Sequence, residues 1–313
     1  MAVLHKNELP ISLELVRSLV QDQFPNYADL PVTPLGATGS TNRLFRLGPE
    51  LLVRLPRQPD SGKGIKKEAH WVPKLSAQLP LNTPEILHLG EPDDAYPEVW
   101  AITRWLDGEL PRVWQPGDPE DPGANQLAED LAAFIQALQN IEVTGEAKAD
   151  GALRWYRGLA LVEYDSVFRR TLEYCRSRVD IDLDFAAIEL IWTATLQLAG
   201  AKTAGPDCWY HSDLVAENLL LQDDRLTTVL DFGGLAIGDP TIDLHGAWEL
   251  FGPSARSAFR RALGVGEEQW LIGRAWALAI ALGALSYYWQ TMPERCRDRL
   301  AMVRAVLSDA GHG

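Results

Sequence analysis

The chain has 313 residues, 43 acidic and 29 basic, for a net charge of −14, with 46% hydrophobic and 23% charged residues. That composition is too apolar for a disordered chain and too acidic for a general binder of nucleic acid or anionic membrane, both of which need clustered Lys and Arg. The length suits two domains, or two lobes around one cleft.

Cys175, Cys208 and Cys296 are odd in number and far apart, and none forms a CxxC pair, which argues against a zinc site or a disulfide framework. The first residues carry no signal-peptide pattern. The longest strongly apolar run, Ala275 to Leu285, is shorter than the roughly 20 residues a bilayer span needs. These features predict a cytoplasmic protein with reduced thiols, no nucleic-acid partner and no membrane partner. They leave the oligomeric state open. Acid is concentrated after residue 103, where 31 acidic residues stand against 19 basic. Such a field draws in a cationic small molecule, although acidity serving solubility alone gives the same count.

Ser12 to Gln23 reads as an amphipathic helix capped by Ser12, with Leu13, Val16, Leu19 and Val20 on one face. From Val32 to Leu55 the pattern is strand, glycine-containing turn, strand, Gly48-Pro49 turn, strand. Lys66 to Leu79 has helical spacing, ended by Pro80 to Pro84, and Glu85 to Gly90 and Val99 to Arg104 add two strands. After Asp107-Gly108 the texture becomes helical. Helices are predicted over Asn125 to Ile141, Val162 to Arg178, Asp184 to Ala199 (capped by Asp182 or Asp184) and Trp270 to Trp289. The last is apolar nearly all round and so is expected to be buried. Trp114 to Ala124, rich in Pro, Gly and Asp, reads as a surface loop. One strand-like stretch, Asn218 to Asp231, interrupts the helices.

That stretch carries the chemistry. Leu219 to Gln222 and Leu226 to Leu230 are apolar strands separated by Asp223-Asp224, good turn material. A hairpin there brings Asn218 and Asp231 together at its open end, an amide oxygen and a carboxylate suited to Mg²⁺. Asp213, five residues before Asn218, lies on the loop entering the hairpin, within reach of a substrate hydroxyl. In phosphoryl transfer such an Asp orients the hydroxyl while Asn and Asp hold the metal against the triphosphate.

The order His211-Ser-Asp-Leu-Val-Ala-Glu-Asn218, Asp231-Phe-Gly233, Gly238-Asp-Pro-Thr-Ile-Asp243 resembles the aminoglycoside phosphotransferase family, within the protein-kinase-like superfamily. Asn42-Arg-Leu-Phe-Arg-Leu-Gly48, Val53-Arg-Leu-Pro-Arg57, Trp105-Leu-Asp-Gly-Glu109 and Arg274-Ala-Trp-Ala-Leu278 extend the resemblance over roughly residues 12–300. It implies an α+β, protein-kinase-like two-lobed fold. Residues 1–104 would form a small antiparallel-sheet N-lobe that binds nucleotide. Residues 105–313 would form a mainly helical C-lobe with the catalytic loop, metal site and acceptor site. The implied reaction is ATP- or GTP-dependent O-phosphorylation of a small-molecule hydroxyl with Mg²⁺. Asp213 would be the catalytic base or orienter, and Asn218 and Asp231 the metal ligands.

In the first lobe, Gly36 and Gly39 would let backbone amides approach phosphates, with Ser40 and Asn42 adding side-chain donors. The family's third-strand Lys is Arg54 here, and its partner is expected to be Glu68. Arg54 replaces that Lys, or is structural while Lys63, Lys66 or Lys67 serves, or the chain is a pseudokinase. The segment from Thr103 to Leu106 would meet the adenine edge with the Arg104 carbonyl and the Leu106 amide. Ser212 stands where the family has Gly and is expected to do little harm if that backbone is not left-handed. His211 is expected to be structural, and Asp243 to brace the loop. Glu217 and Glu249 are candidates to line the acceptor site. An aminoglycoside, hence an antibiotic-resistance role, is the family's namesake reading, and the acidic second half suits such a polycation. Kinases of macrolides or housekeeping metabolites, and a nucleotide-binding pseudokinase, remain alternatives.

Overall fold

The computed structural model describes residues 4–36 and 40–311. Helix α1 (Leu13–Gln23) opens on the expected cap: Ser12 Oγ accepts the Leu15 N–H at 3.1 Å, satisfying a donor that the helix start leaves unpaired. Strands β1 (Val32–Pro34), β2 (Asn42–Leu47) and β3 (Leu51–Pro56), helix α2 (Gly62–Ser76), and strands β4 (Ile86–Gly90) and β5 (Trp100–Arg104) follow. The strands form one antiparallel sheet in the order β1-β2-β3-β5-β4. Strand alternation puts Phe45, Leu47, Leu51, Val53 and Leu55 in one cluster with Val16, Leu19 and Val20 of α1 and Trp100 and Ile102 of β5. Arg54, between two of these core residues, points to the opposite face.

Helix α2 starts at Gly62, a turn before the expected Lys66, because its cap comes from far along the chain. The Glu98 carboxylate accepts the Asp60 N–H at 2.7 Å and the Gly62 N–H at 2.9 Å. Local spacing carries no sign of such a partner.

The later helices are α3 (Ala124–Asn140), α4 (Gly145–Ala149), α5 (Asp165–Arg176), α6 (Phe185–Thr195), α7 (Ala199–Lys202), α8 (Ala247–Leu250), α9 (Pro253–Leu263), α10 (Glu267–Tyr288) and α11 (Pro293–Asp309). Leu127, Leu131, Phe134, Ile135 and Leu138 bury the stripe of α3, which packs on α9. The helix expected from Val162 begins as a 3₁₀ turn, Leu161–Tyr164, and the one expected from Asp184 divides into α6 and α7. Asp184 is the cap, accepting the Ala187 N–H at 2.9 Å. Helix α10 is long and apolar enough to cross a bilayer by length and composition. Its Ala275, Trp276, Leu278, Leu282 and Leu285 are buried against protein, and it packs on α5, α6 and α11.

Four short strands accompany these helices: β6 (Cys208–Tyr210), β7 (Leu219–Gln222), β8 (Arg225–Val229) and β9 (Ala236–Gly238). The expected hairpin is β7–β8, and Asp223 and Asp224 both have positive φ, 49° and 59°, as a tight two-residue turn demands. The antiparallel β6–β9 pair was not expected, since each partner is only three residues long and nothing in their pattern pairs them.

The chain divides into two compact units. The first comprises residues 1–77, 82–108 and 228–233, and the second 78–81, 109–227 and 234–313. The first therefore runs past the boundary read at 104/105 and takes in the segment carrying Asp231. Thr228 bridges Asn82 there, and the Val229 N–H donates to the Asn82 carbonyl at 3.0 Å.

Candidate functional site

In the first unit, β3 and α2 set a dry ion pair. Arg54 Nη1 and Nη2 donate to the two Glu68 oxygens at 2.7 and 2.9 Å, with the residues 6% and 2% exposed. Burial works against the Arg54 charge, but the Glu68 carboxylate outweighs it and raises the guanidinium pKa, with Asp231 adding in the same direction. The pairing is the one expected. Lys63, one of the alternatives, is instead an exposed residue paired with Asp60.

Asp231 lies at φ 58° and accepts the Gly233 N–H at 3.3 Å. A Cβ on Gly233 would stand 3.1 Å from Asp231 Oδ1 and 3.4 Å from Glu68 Oε1. The Asp-Phe-Gly turn therefore lies against the Arg54–Glu68 pair.

The other first-unit residues are less uniform. Gly36 is exposed and a Cβ there would meet nothing, so space does not demand glycine. Gly39 lies outside the described residues. The Ser40 carbonyl is hydrogen-bonded to His5 Nε2 at 2.7 Å. Asn42 is buried at the start of β2, its carbonyl accepting from Arg57 Nε at 3.3 Å and its Oδ1 without a partner among the described residues. Thr103 is buried within the sheet, paired with Leu52. The Arg104 side chain and N–H both go to Glu85, while the Leu106 N–H has no partner among the described residues. Trp105 is not core. It is half-buried under the Arg46 guanidinium, 3.7 Å from its ring, with its Nε1 donating to Asp107.

In the second unit, the loop His211 to Asn218 is held from several sides. Asp243, fully buried, accepts the His211 and Ser212 N–H groups at 2.8 and 2.6 Å. Burial pushes its carboxyl up to about 7 against the pull of those two bonds. Ser212 has φ 75°, the left-handed backbone in which the family's Gly is at ease. This corrects the expectation of a harmless substitution: the strain is present, and the Asp243 bond and the Ser212 Oγ bond to the Gly234 carbonyl at 3.1 Å hold it. Gly234 is tightly packed, since a Cβ would fall 2.2 Å from Ser212 Oγ. His211 is buried and structural, its Nδ1 accepting the Asp213 N–H at 3.3 Å.

Both Asp213 oxygens are engaged. Asn218 Nδ2 donates to Oδ2 at 3.0 Å and to the Asp213 carbonyl at 2.9 Å, and Arg157 Nη1 stands 3.4 Å from Oδ1. Burial opposes the Asp213 charge, but Arg157 leads the groups that outweigh it and hold the carboxyl below its ordinary range. Asn218 Oδ1 has no protein partner among the described residues, which leaves a hard acceptor free. Arg157, from the 3₁₀ turn Tyr156–Gly158, also donates to the Ser212 carbonyl at 2.6 Å and lies over Trp155. Its only local signal was an Arg following two aromatics, Trp155 and Tyr156, in an irregular stretch.

The two acidic acceptor candidates are otherwise employed. Glu249 is 2% exposed, accepts the Ala216 N–H at 2.9 Å and pairs with Arg299, so it braces the loop from within. Glu217 is bound by Arg295 at 2.5 Å and Arg299 at 3.5 Å. Neither is a free carboxylate waiting for a cation.

Comparison with known proteins follows the same lines. The GDP and kanamycin complex of APH(2″)-IIia superposes with a TM-score of 0.69 at 20% identity, covering 96% of this chain and all of that one. The GDP complex of wild-type aminoglycoside 2′-phosphotransferase-IIIa gives 0.71 at 18% identity, over 94% and 98%. The macrolide 2′-phosphotransferase MphH from Brachybacterium faecium gives 0.60 at 20% identity, over 92% and 98%. At these identities the likeness is one of fold, the kinase-like α+β fold expected from the motifs. No curated protein sequence matches the chain. The APH model, described as the phosphotransferase enzyme family, matches residues 32–279, most of the chain and all of the motif-bearing part, and the chain belongs to that family.

Proposed function

We propose that the protein transfers the terminal phosphoryl group of ATP or GTP to a hydroxyl of a small molecule. The observation that carries this reading is Asp213, a carboxylate kept ionised by Arg157 and oriented by Asn218. A carboxylate of low basicity suits phosphoryl transfer, where little proton abstraction is needed before the phosphoryl group has largely left its donor. Asp213 accepts the acceptor's hydroxyl hydrogen bond, aims its oxygen and takes the proton late. Arg54, fixed by Glu68, supplies a permanent charge for nucleotide phosphates in place of the family's Lys.

Asn218 Oδ1, without a protein partner among the described residues, and the Asp231 carboxylate are each hard oxygens of the kind Mg²⁺ takes, and the family resemblance assigns the metal to these two residues. When bound, the metal would neutralise charge on the phosphates.

The aminoglycoside reading rests on the family and on the kanamycin and gentamicin named with structural neighbours. Nucleoside-diphosphate release with Mg²⁺ across aminoglycosides, macrolides and amino-sugar metabolites tests it. Acceptor-dependent release should fall about 10²–10⁴-fold in Asp213→Asn. Unchanged release in that variant would sink the assignment of Asp213. Nucleotide binding without turnover on any acceptor would favour the pseudokinase.

A further inference from the structure

The charges around the catalytic loop are arranged against a polycation. Three guanidinium groups gather in this part of the second unit. Arg157 stands beside Asp213, Arg295 on Glu217, and Arg299 between Glu217 and Glu249. Of the carboxylates they meet, Asp213 is needed for the hydroxyl, and Glu249 is buried on a backbone amide. Glu217 is the one left with freedom, its side chain 32% exposed while Arg295 and Arg299 are 11% and 6% exposed. Among the described residues, both arginines also keep a buried Nε–H with no acceptor.

An ammonium group seeking Glu217 would have to strip it from Arg295, whose ion pair it is, while Arg299 keeps Glu249; a buried guanidinium left without its partner is strongly unfavourable. An anionic group can take its place without that loss: Glu217 swings to water, and a carboxylate or phosphate inherits the charge-assisted bonds and the idle donors.

We infer that Arg295 and Arg299 form an anion subsite beside the catalytic loop, closed by Glu217 as a placeholder, and that the acceptor is a hydroxyl compound carrying a carboxylate or phosphate. This rests on the kinase reading above and deepens it. The rival charge nearby is Asp298, half-buried on α11 and within the field of Glu217, Glu294, Arg295 and Arg297. With the exposed Glu294, it is a carboxylate that could recruit a cation there.

The test is calorimetric titration at saturating ADP and Mg²⁺, with inorganic phosphate and, separately, kanamycin as probes. Glu217→Ala should bind phosphate about tenfold or more tightly than the unaltered protein, and Glu217→Ala/Arg295→Met should lose that gain. Glu217→Gln removes the charge with less disturbance and stands in if the Ala variant does not fold. Phosphate affinity unmoved by either Glu217 variant overturns the subsite. So does kanamycin binding that disappears in Glu217→Gln or Asp298→Asn. If ADP itself fails to bind, the kinase reading falls, while the phosphate difference between the variants still decides the subsite.

Discussion

The two units hold their key charges in opposite ways. In the first, Arg54 and Glu68 meet side chain to side chain, two bonds in parallel, with almost no solvent. In the second, Asp213 is held mostly by its own loop, and the loop is held by buried carboxylates that accept backbone N–H groups: Asp243 at His211 and Ser212, Glu249 at Ala216. The first arrangement fixes one cation on a rigid strand. The second fixes a curve of backbone, so it tolerates changes at the tip poorly and changes in the ion pairs behind it somewhat better.

The comparison breaks most visibly at Glu68. Glu68→Ala leaves Arg54 buried and unpaired and should cost about 3–5 kcal/mol in urea unfolding. Arg54→Met/Glu68→Leu should recover most of that stability while nucleotide affinity stays low. If the double variant is as unstable as the single, the pair is not an isolated unit. On the other side, Asp243→Asn places an amide against two N–H donors and should cost about 2 kcal/mol by the same measurement.

Titration sharpens the Asp243 prediction. Its carboxyl is raised from 3.8 to about 7, so between these values the folded state holds a proton that the unfolded state has lost. Stability from this group falls as pH rises through that window. His245, buried with its pKa lowered from 6.5 to about 4, acts oppositely: the unfolded state binds the extra proton, and stability rises with pH between about 4 and 6.5. The two oppose each other in the native protein. Asp243→Asn should therefore uncover a melting temperature that climbs from pH 4.5 to 6.5, and a profile parallel to that of the unaltered protein would refute the shift.

Smaller effects test the loop's backbone. Gly234→Ala drives a Cβ onto Ser212 Oγ and to 3.1 Å from the His211 carbonyl, and should destabilise by about 1–2 kcal/mol. Ser212→Gly relieves the φ of 75° but forfeits the Gly234 bond, so its net effect should stay within about 1 kcal/mol. A loss several times larger would mean that Oγ does more than compensate strain.

Legibility in the sequence followed the range of the interactions. Helix α1 with its Ser12 cap, the stripe of α3 and the β7–β8 hairpin were readable because each is made by neighbours. Glu68 was readable because family resemblance supplied its partner. Arg157 was not, since it meets Asp213 across 56 residues from a segment with no periodicity, and Arg299 meets Glu249 across 50. The engagement of Glu217 by Arg295, 78 residues away, and of Glu249 by Arg299 was hidden for the same reason. A carboxylate on a sequence looks available until its distant arginines are known. The left-handed Ser212 was hidden because residue type alone does not report φ.

The interleaving of the first unit has a consequence for synthesis. Its sheet and α1 leave the ribosome early, but residues 228–233, which carry Asp231 to the Arg54–Glu68 pair, emerge only after α3 to α7 have been made. The nascent chain must therefore carry an unfinished first unit through most of translation, and the second lacks its apolar axis until α10 appears. Chains halted before Glu267 expose the surfaces α10 covers, so truncated products of this gene are natural clients for chaperones and proteases rather than small working enzymes.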